Sequence, residues 1–428
     1  MGRYDAGGLV AREGYPAIML ITNRTSRIVL CSFLFCSVSF SQRVRIGAEI
    51  LLEKHLDLLA GKKVGIICNH TSVLPDGVHL VDTLLHRGIN VTTLYAPEHG
   101  IRGDKPAGEK IDNEKDVRTG LKVYSLYGGT RSPTMEMLLE VDLLIFDMQD
   151  AGARFYTYAS TMAYCMRSAA ENGKKFIVLD RPNPINGMDI EGPVLDLTLI
   201  SFIGMFPIPV RHGLTIGELA GMIAGEGYIN PSNVDLTVIP MEGWKRSMWY
   251  NETGLPWISP SPNMRTIATA TVYPGTCLFE ATNISEGRGT SKPFEYIGAP
   301  KLDNSILVSK LNTLKLPGVK FSAVEFTPVG DSITHPKFEN KKCRGVYVNV
   351  IDRKKYQPVL TGVMMISVMR EIYPHKFILR KGLFDRLIGD EIVSDRLEKR
   401  EVGKNIFSIF KEQIGQFTRI RSKYLLYK

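Results

Sequence analysis

Residues 94–109 read LYAPEHGIRGDKPAGE, and they set Glu98 beside His99 where the apolar run NVTTLYA (90–96) stops at Pro97. A carboxyl group next to an imidazole can give and take protons near neutral pH, which is what general acid–base chemistry requires. A solvated turn could use the same two residues, so the weight falls on what stands at similar positions elsewhere. Asn69 closes the run KVGIICN (63–69), and His70 and Thr71 follow it. Gln149, Asp150, Arg154, Tyr156 and Tyr158 follow DLLIFDM (142–148), and Arg181 and Asn183 follow KFIVLD (175–180). Several apolar runs thus end in hydrogen-bonding or ionisable side chains.

The elements that carry these residues explain why they could meet. Short apolar runs at 63–69, 90–96, 121–126, 142–148, 175–180 and 235–240 alternate with helical stretches near 79–88, 133–140, 157–172 and 215–226. Continuous apolar strands between helices indicate a parallel sheet covered on both faces, the open doubly wound α/β class. In that class ligands bind beyond the carboxyl ends of the strands. Glu98, Asn69, Asp150 and Arg181 are expected at that one edge. From about residue 255 the texture changes to proline-, glycine- and threonine-rich segments with no helical period. A smaller α/β region then begins near 301, with helices near 303–314 and 357–373 and strands at VKFSAVEF and CRGVYVNVI. The tail 390–428 reads as helical and solvated.

No G-x-G-x-x-G follows the first strand and no G-x-x-x-x-G-K-[ST] occurs, so no nucleotide cofactor is expected. There is no H-E-x-x-H, and the eight histidines are dispersed, so no metal site is expected either. The 53 basic and 44 acidic residues of the 428 give a net charge of +9 without a dense Lys/Arg block. That argues against nucleic acid and is compatible with an anionic polymer. No run reaches the roughly 18 apolar residues of a spanning helix. At the N-terminus Arg24 and Arg27 precede the apolar stretch IVLCSFLFCSVSF (28–40), the pattern of a cleavable export signal. Its removal would leave Cys68, Cys165, Cys277 and Cys343, which are widely spaced; Cys68 reads as a core residue. The expected division is an N-terminal segment 1–42, a catalytic domain 47–290 and a smaller domain 291–428.

The motifs CNHTSV, LYAPEHGIRGDKPAGE, VYSLYGGTRSPT, FDMQDAGARFYTYASTM, VLDRPNPINGMDIEGPVLD, PIPVRHGLTIGELA, SPNM, YPGTCLFEATNISEGRGTSKPFEYIGAP and FDRLIG occur in this order. Together they resemble the exo-β-N-acetylmuramidases, over roughly residues 47–390. The resemblance implies a Rossmann-like catalytic domain with a smaller C-terminal α/β domain. It also implies an exported protein of cell-wall turnover that removes N-acetylmuramic acid from the non-reducing ends of peptidoglycan glycans. It places the family's candidate catalytic glutamate on Glu98. Three positions depart from the family pattern: Arg265 after SPNM, Lys301 after GAP, and EATN in place of EGTN.

If the resemblance holds, glycoside cleavage needs an acid for the leaving oxygen and a group that stabilises the developing positive charge. Glu98 would be the acid, with His99 beside it. Asp147, Asp150 and Glu286 are alternatives for the second group, as is the substrate's own N-acetyl group. The lactyl carboxylate suits an arginine fork. Arg102, Arg154, Arg181, Arg211 and Arg288 form the pool, with Arg181 foremost. Tyr156 and Tyr158 could pack on a sugar face, although residues two apart suggest that one points into the core. Asn69, Thr71, Gln149, Asn183 and His212 complete the expected substrate contacts. A binding protein for wall fragments, using the same cleft without turnover, is the alternative. The export reading has a direct check. Protein recovered from the cell envelope is expected to lack residues 28–40, and active exported material whose N-terminal sequence begins at Met1 or Met19 would contradict it.

Overall fold

The computed structural model describes residues 43–97, 100–102, 114–332 and 334–428. Its strands are β1 (Val64–Cys68), β2 (Val91–Ala96), β3 (Glu114–Lys115), β4 (Lys122–Ser125), β5 (Leu143–Asp147), β6 (Lys175–Leu179), β7 (Glu191–Val194), β8 (Pro209–Arg211), β9 (Asp235–Ile239), β10 (Tyr296–Ala299), β11 (Val319–Phe326) and β12 (Cys343–Val350). The main sheet runs β3-β4-β2-β1-β5-β6-β9. It is parallel except for the short antiparallel edge strand β3. From β1 the chain steps outward through β2 to β4, then returns to the other side of β1 for β5, β6 and β9. The order therefore reverses between β1 and β5, where such sheets open a crevice.

Strand side chains alternate between two cores. Ile66, Cys68, Ile145 and Ile177 face the helices α1 (Gly47–Lys54) and α2 (Leu80–His86). Ile67, Phe146, Phe176 and Val178 face α3 (Tyr158–Glu171) and α4 (Ile216–Gly225). Burial on both faces is why these strands read as continuous apolar runs. The expected doubly wound α/β fold is present. The helix expected near 133–140 is only a 3-10 turn, Glu136–Leu138, with exposed Met135 and Leu139 on either side. The four cysteines among the described residues are buried and free. No helix among those residues is long and apolar enough to cross a membrane.

The core of the C-terminal region is continuous with the core on the α3 and α4 side of the sheet. Helix α5 (Ile267–Thr276) crosses a later helix, α7 (Pro358–Ile372), after α6 (Asn304–Thr313) and the antiparallel sheet β10-β12-β11. At the crossing a side chain on Gly275 would stand 1.8 Å from the Pro358 carbonyl oxygen, and one on Gly362 would stand 2.2 Å from that of Gly275. Only glycines allow the backbones this close. Helices α8 (Lys381–Ile388), α9 (Glu391–Lys399) and α10 (Lys411–Ser422) finish the chain. The tail is not merely solvated. The Tyr427 hydroxyl donates to Asp180 at 2.5 Å, Leu426 N–H donates to Glu218 at 2.9 Å, and the Lys428 carbonyl accepts from Arg246 N–H at 3.2 Å. These contacts strap the end of the chain against the main sheet.

Gly389 ends α8 at φ +92°, and a Cβ there would lie 2.4 Å from Nη2 of Arg154. Gly389→Ala is therefore expected to lower unfolding free energy by about 1–3 kcal/mol through backbone strain and displacement of the guanidinium. A urea titration matching that of the parent protein would show that Arg154 does not pack on this glycine.

Candidate active site

The crevice edge is organised by hydrogen bonds that leave certain atoms over. After β1, Asn69 Oδ1 accepts from Thr71 N–H at 2.9 Å and from the Thr71 hydroxyl at 2.6 Å. Thr71 Oγ1 accepts in turn from Gln149 N–H, after β5, at 3.0 Å. Gln149 Nε2 donates to the carbonyls of Asp150 and Pro182, both at 2.8 Å. Asp150 Oδ2 accepts from Gly152 N–H at 2.7 Å. Asn69 Nδ2, Gln149 Oε1 and Asp150 Oδ1 are buried without a hydrogen-bond partner. Buried polar groups are nearly always satisfied, so such atoms on adjoining strand ends mark a place prepared for something else. Burial pushes the Asp150 carboxyl up to about 7, against the lowering effect of the Gly152 and Ala151 N–H groups.

Other expected residues serve the scaffold. Arg181 forks onto Asp147 at 2.5 and 2.8 Å, with side-chain exposures of 6% and 0%, and lines a small pocket with Thr71 and Gln149. Arg102 forks onto Asp116 at 3.1 and 2.9 Å. Arg154 donates to the carbonyls of Pro193, Ile208 and Leu387 at 3.0, 2.8 and 2.8 Å. Arg211 pairs with Asp189 at 2.9 Å. Asn183 Nδ2 donates to the Leu214 carbonyl at 2.8 Å while its Oδ1 accepts from Ile185 N–H at 3.1 Å. His212 Nδ1 accepts from Leu214 N–H at 3.2 Å, and burial together with the Arg421 and Arg154 charges drives its pKa down to about 3. It is a neutral turn anchor. Glu98 and His99 lie outside the described residues. Their neighbours are described: Gly100 N–H donates to the Pro97 carbonyl at 3.1 Å, directly beyond β2.

A cavity of about 260 Å³ opens beside the helix that follows β5. Tyr127, Phe155, Tyr156, Tyr158, Phe202, Tyr273 and Phe294 wall it, and Glu280 and Arg288 supply its charge. Tyr156 and Tyr158 both line it, with ring centroids 5.0 Å apart and edge to face. Neither turns away: Tyr156 lies in the irregular segment before α3 and Tyr158 is that helix's first residue, so the strand alternation that would send residues two apart to opposite sides does not apply. The Tyr158 hydroxyl donates to the Pro260 carbonyl at 2.6 Å, and His70 Nε2 lies 2.7 Å from that of Ser259, so the SPSPNM segment is tied to both regions. Arg288 Nη2 donates to Glu280 at 2.5 Å, and its Nε lies 3.4 Å from Glu286. Glu286, buried, also pairs with Lys337 at 3.0 Å. The sequence reading missed Glu280, Tyr127, Phe202, Tyr273 and Phe294. The one signal for Glu280 was an acid at the end of an apolar run, TCLFE, on the segment that also supplies Glu286 and Arg288.

Two family models cover most of the chain. The one described as "Exo-beta-N-acetylmuramidase NamZ, N-terminal" matches residues 64–268, and its C-terminal counterpart matches 271–427. The chain belongs to this family. A curated relative of Bacillus subtilis (strain 168), "Peptidoglycan beta-N-acetylmuramidase NamZ", is 46% identical over 387 residues, which span 90% of this chain and 92% of the relative. Two crystal structures of DUF1343 family proteins from Bacteroides fragilis NCTC 9343 share the fold. One has a TM-score of 0.83 at 37% identity, and the other 0.73 at 32%. Each alignment covers 90% of this chain and 99% of the other. The boundary between the two models, residues 268 to 271, falls within α5, and residues matched by each, Tyr156 by the first and Tyr273 by the second, line the cavity.

The state of Asp150 can be read from stability. The folded protein holds its proton up to about pH 7, whereas the unfolded chain releases it near an ordinary value of about 3.9. Between these values the folded state binds more protons, so this group's contribution to stability falls as pH rises. Asp150→Asn cannot titrate. From pH 5 to pH 8 it is expected to gain about 2–3 kcal/mol of unfolding free energy relative to the parent protein. Parallel urea midpoints across that range would show that Asp150 is ionised in the folded state.

Proposed function

We propose that this protein is an exo-acting β-N-acetylmuramidase, a glycoside hydrolase that removes terminal N-acetylmuramic acid from peptidoglycan fragments, with Glu98 as general acid. The observation that carries the reading is 46% identity along 90% of the chain to a peptidoglycan β-N-acetylmuramidase. The site is consistent with it. Aromatic faces pack against the apolar faces of sugar rings, and seven aromatic side chains wall the cavity. The unpartnered atoms at the strand ends match an acetamido group: Asn69 Nδ2 can donate to its carbonyl, and Gln149 Oε1 or Asp150 Oδ1 can accept its N–H.

The structure also favours one choice of second carboxylate. Glu286 also has an oxygen without a hydrogen-bond partner, but it stands in ion pairs with Lys337 and Arg288, so its charge is compensated within the protein. Asp150 has a free oxygen and a proton affinity near neutrality, and it follows a strand separated from that of Glu98 only by β1. In this proposal Asp150 orients or stabilises the sugar's acetamido side while Glu98 protonates the leaving oxygen. Both groups need unusual surroundings to work at pH 7, because one must carry a proton there and the other must respond to charge.

A chromogenic β-glycoside of N-acetylmuramic acid provides the test, with the N-acetylglucosamine compound alongside. Release is expected from the muramyl compound. Glu98→Gln should lower turnover by about 10²–10⁴-fold, the usual contribution of a general acid, while leaving the melting temperature unchanged. Near-native turnover in the variant would remove Glu98 from the mechanism. Tight binding of wall fragments with no turnover by the parent protein would instead identify a binding protein.

A further inference from the structure

Arg288, which lines the cavity, meets two carboxylates: Glu280 on the lining and Glu286 behind it. Glu286 has 4% of its side chain exposed and is clamped between Arg288 and Lys337. Lys337 is fixed in turn, since its ammonium donates to the carbonyls of Phe279 and Ile284 at 2.8 and 3.0 Å. Glu280 differs. Its side chain is 32% exposed, it lines the cavity, and it holds the Nη2 edge of Arg288, whose side chain is 29% exposed. The Phe294 ring lies 5.0 Å from the guanidinium and supports it from one face. With Glu286 and Lys337 counted behind the lining, two acids balance two bases. A ligand carboxylate therefore meets a planar fork whose outward edge is already filled by a carboxylate of the protein.

We infer that Glu280 occupies the seat of the substrate's carboxylate on Arg288 and is displaced by it, which makes Glu280 a specificity-determining residue. This rests on the function proposed above, in which that carboxylate is the lactyl group of N-acetylmuramic acid. The exchange replaces one carboxylate by another on the same donors, so the guanidinium is never left unpaired. The displaced Glu280 can regain water because it is already partly exposed; Glu286 could not, and leaving a buried carboxylate bare is costly. A sugar without a carboxylate cannot make the exchange and gains nothing from the fork. Arginine suits the task because its planar donors match a carboxylate in a way that a lysine point charge does not.

The test compares the two chromogenic glycosides on wild type, Glu280→Gln and Arg288→Lys. Glu280→Gln removes the competing charge and is expected to lower KM for the muramyl compound by about 10-fold or more, with kcat and the N-acetylglucosamine KM changed less than about twofold. Arg288→Lys keeps the charge but loses the fork, and should raise the muramyl KM by about 10- to 150-fold. If Glu280→Gln does not fold, Glu280→Ala, which also removes the carboxylate, must give the same selective fall. The inference is overturned if Glu280 variants leave both KM values unchanged, shift both alike, or reduce kcat for both substrates at constant KM. Wild-type protein that releases nothing from the muramyl compound would overturn the proposed function itself. Wild-type turnover with no selective shift in the variants would overturn only the displacement.

Discussion

The guanidinium of Arg154 is the tie on which the cavity depends. It is buried, and burial alone lowers its pKa to about 9, since no carboxylate lies against it among the described residues. A charge in that position persists only where other groups replace the water it has lost. Three carbonyls do so, from Pro193, Ile208 and Leu387. The first two lie on or beside the β7-β8 ribbon and the third on α8. The segment after β5 is thereby pinned to the C-terminal helices. Tyr156 and Tyr158 follow Arg154 by two and four residues, and α8 contributes Leu383 and Leu387 to the opposite wall. The aromatic wall and the wall that faces it are thus set by one side chain.

The strand-end edge follows a complementary rule. Ionised groups there are matched within the protein: Asp147 to Arg181, and Asp116 to Arg102. For Asp116, burial would raise the carboxyl, but the hydrogen bonds from Arg102 and Thr119 outweigh it and hold the carboxyl below its usual range. What stays unmatched is one polar atom each on Asn69, Gln149 and Asp150. A buried polar atom without a partner costs about 1–3 kcal/mol. Such a cost on neighbouring strands is reasonable where a ligand can relieve it, and the crevice between β1 and β5 is where this class of sheet receives ligands.

The legibility of the sequence tracks the range of the interactions involved. Strands β1, β2, β5 and β6 were readable because local apolar runs specify them, and the doubly wound class followed from their alternation with helices. Helix α5 was not readable. It contains Pro274, and it is held by the backbone contact of Gly275 with the Pro358–Gly362 turn of α7, so it has no amphipathic stripe to detect. The tail looked solvated because its helices carry charge, yet Tyr427 reaches Asp180, 247 residues away in sequence. Ion-pair choice is equally non-local. Nothing near Arg181 in sequence indicated Asp147 as its partner, since the pairing arises only when β5 and β6 lie side by side.

That non-locality explains why five arginines that look alike in sequence divide so sharply in space. Arg102, Arg181 and Arg211 face carboxylates away from the cavity, and Arg154 faces carbonyls. Arg288 alone among them lines the cavity. Its position follows from the segment that carries it. Ser285 exchanges backbone hydrogen bonds with Gly298 of β10 at 2.8 and 3.0 Å, and Phe294 N–H donates to the Glu286 carbonyl at 2.6 Å. The residues from 286 to 294 are thereby closed into a loop against the antiparallel sheet. Glu286 turns inward to Lys337, while Arg288, two residues on, is held at the surface of the cavity over Phe294. An arginine is available to a ligand here because Glu286, two residues before it, already has Lys337 as a second cation, and Glu280, which holds its Nη2, is partly exposed.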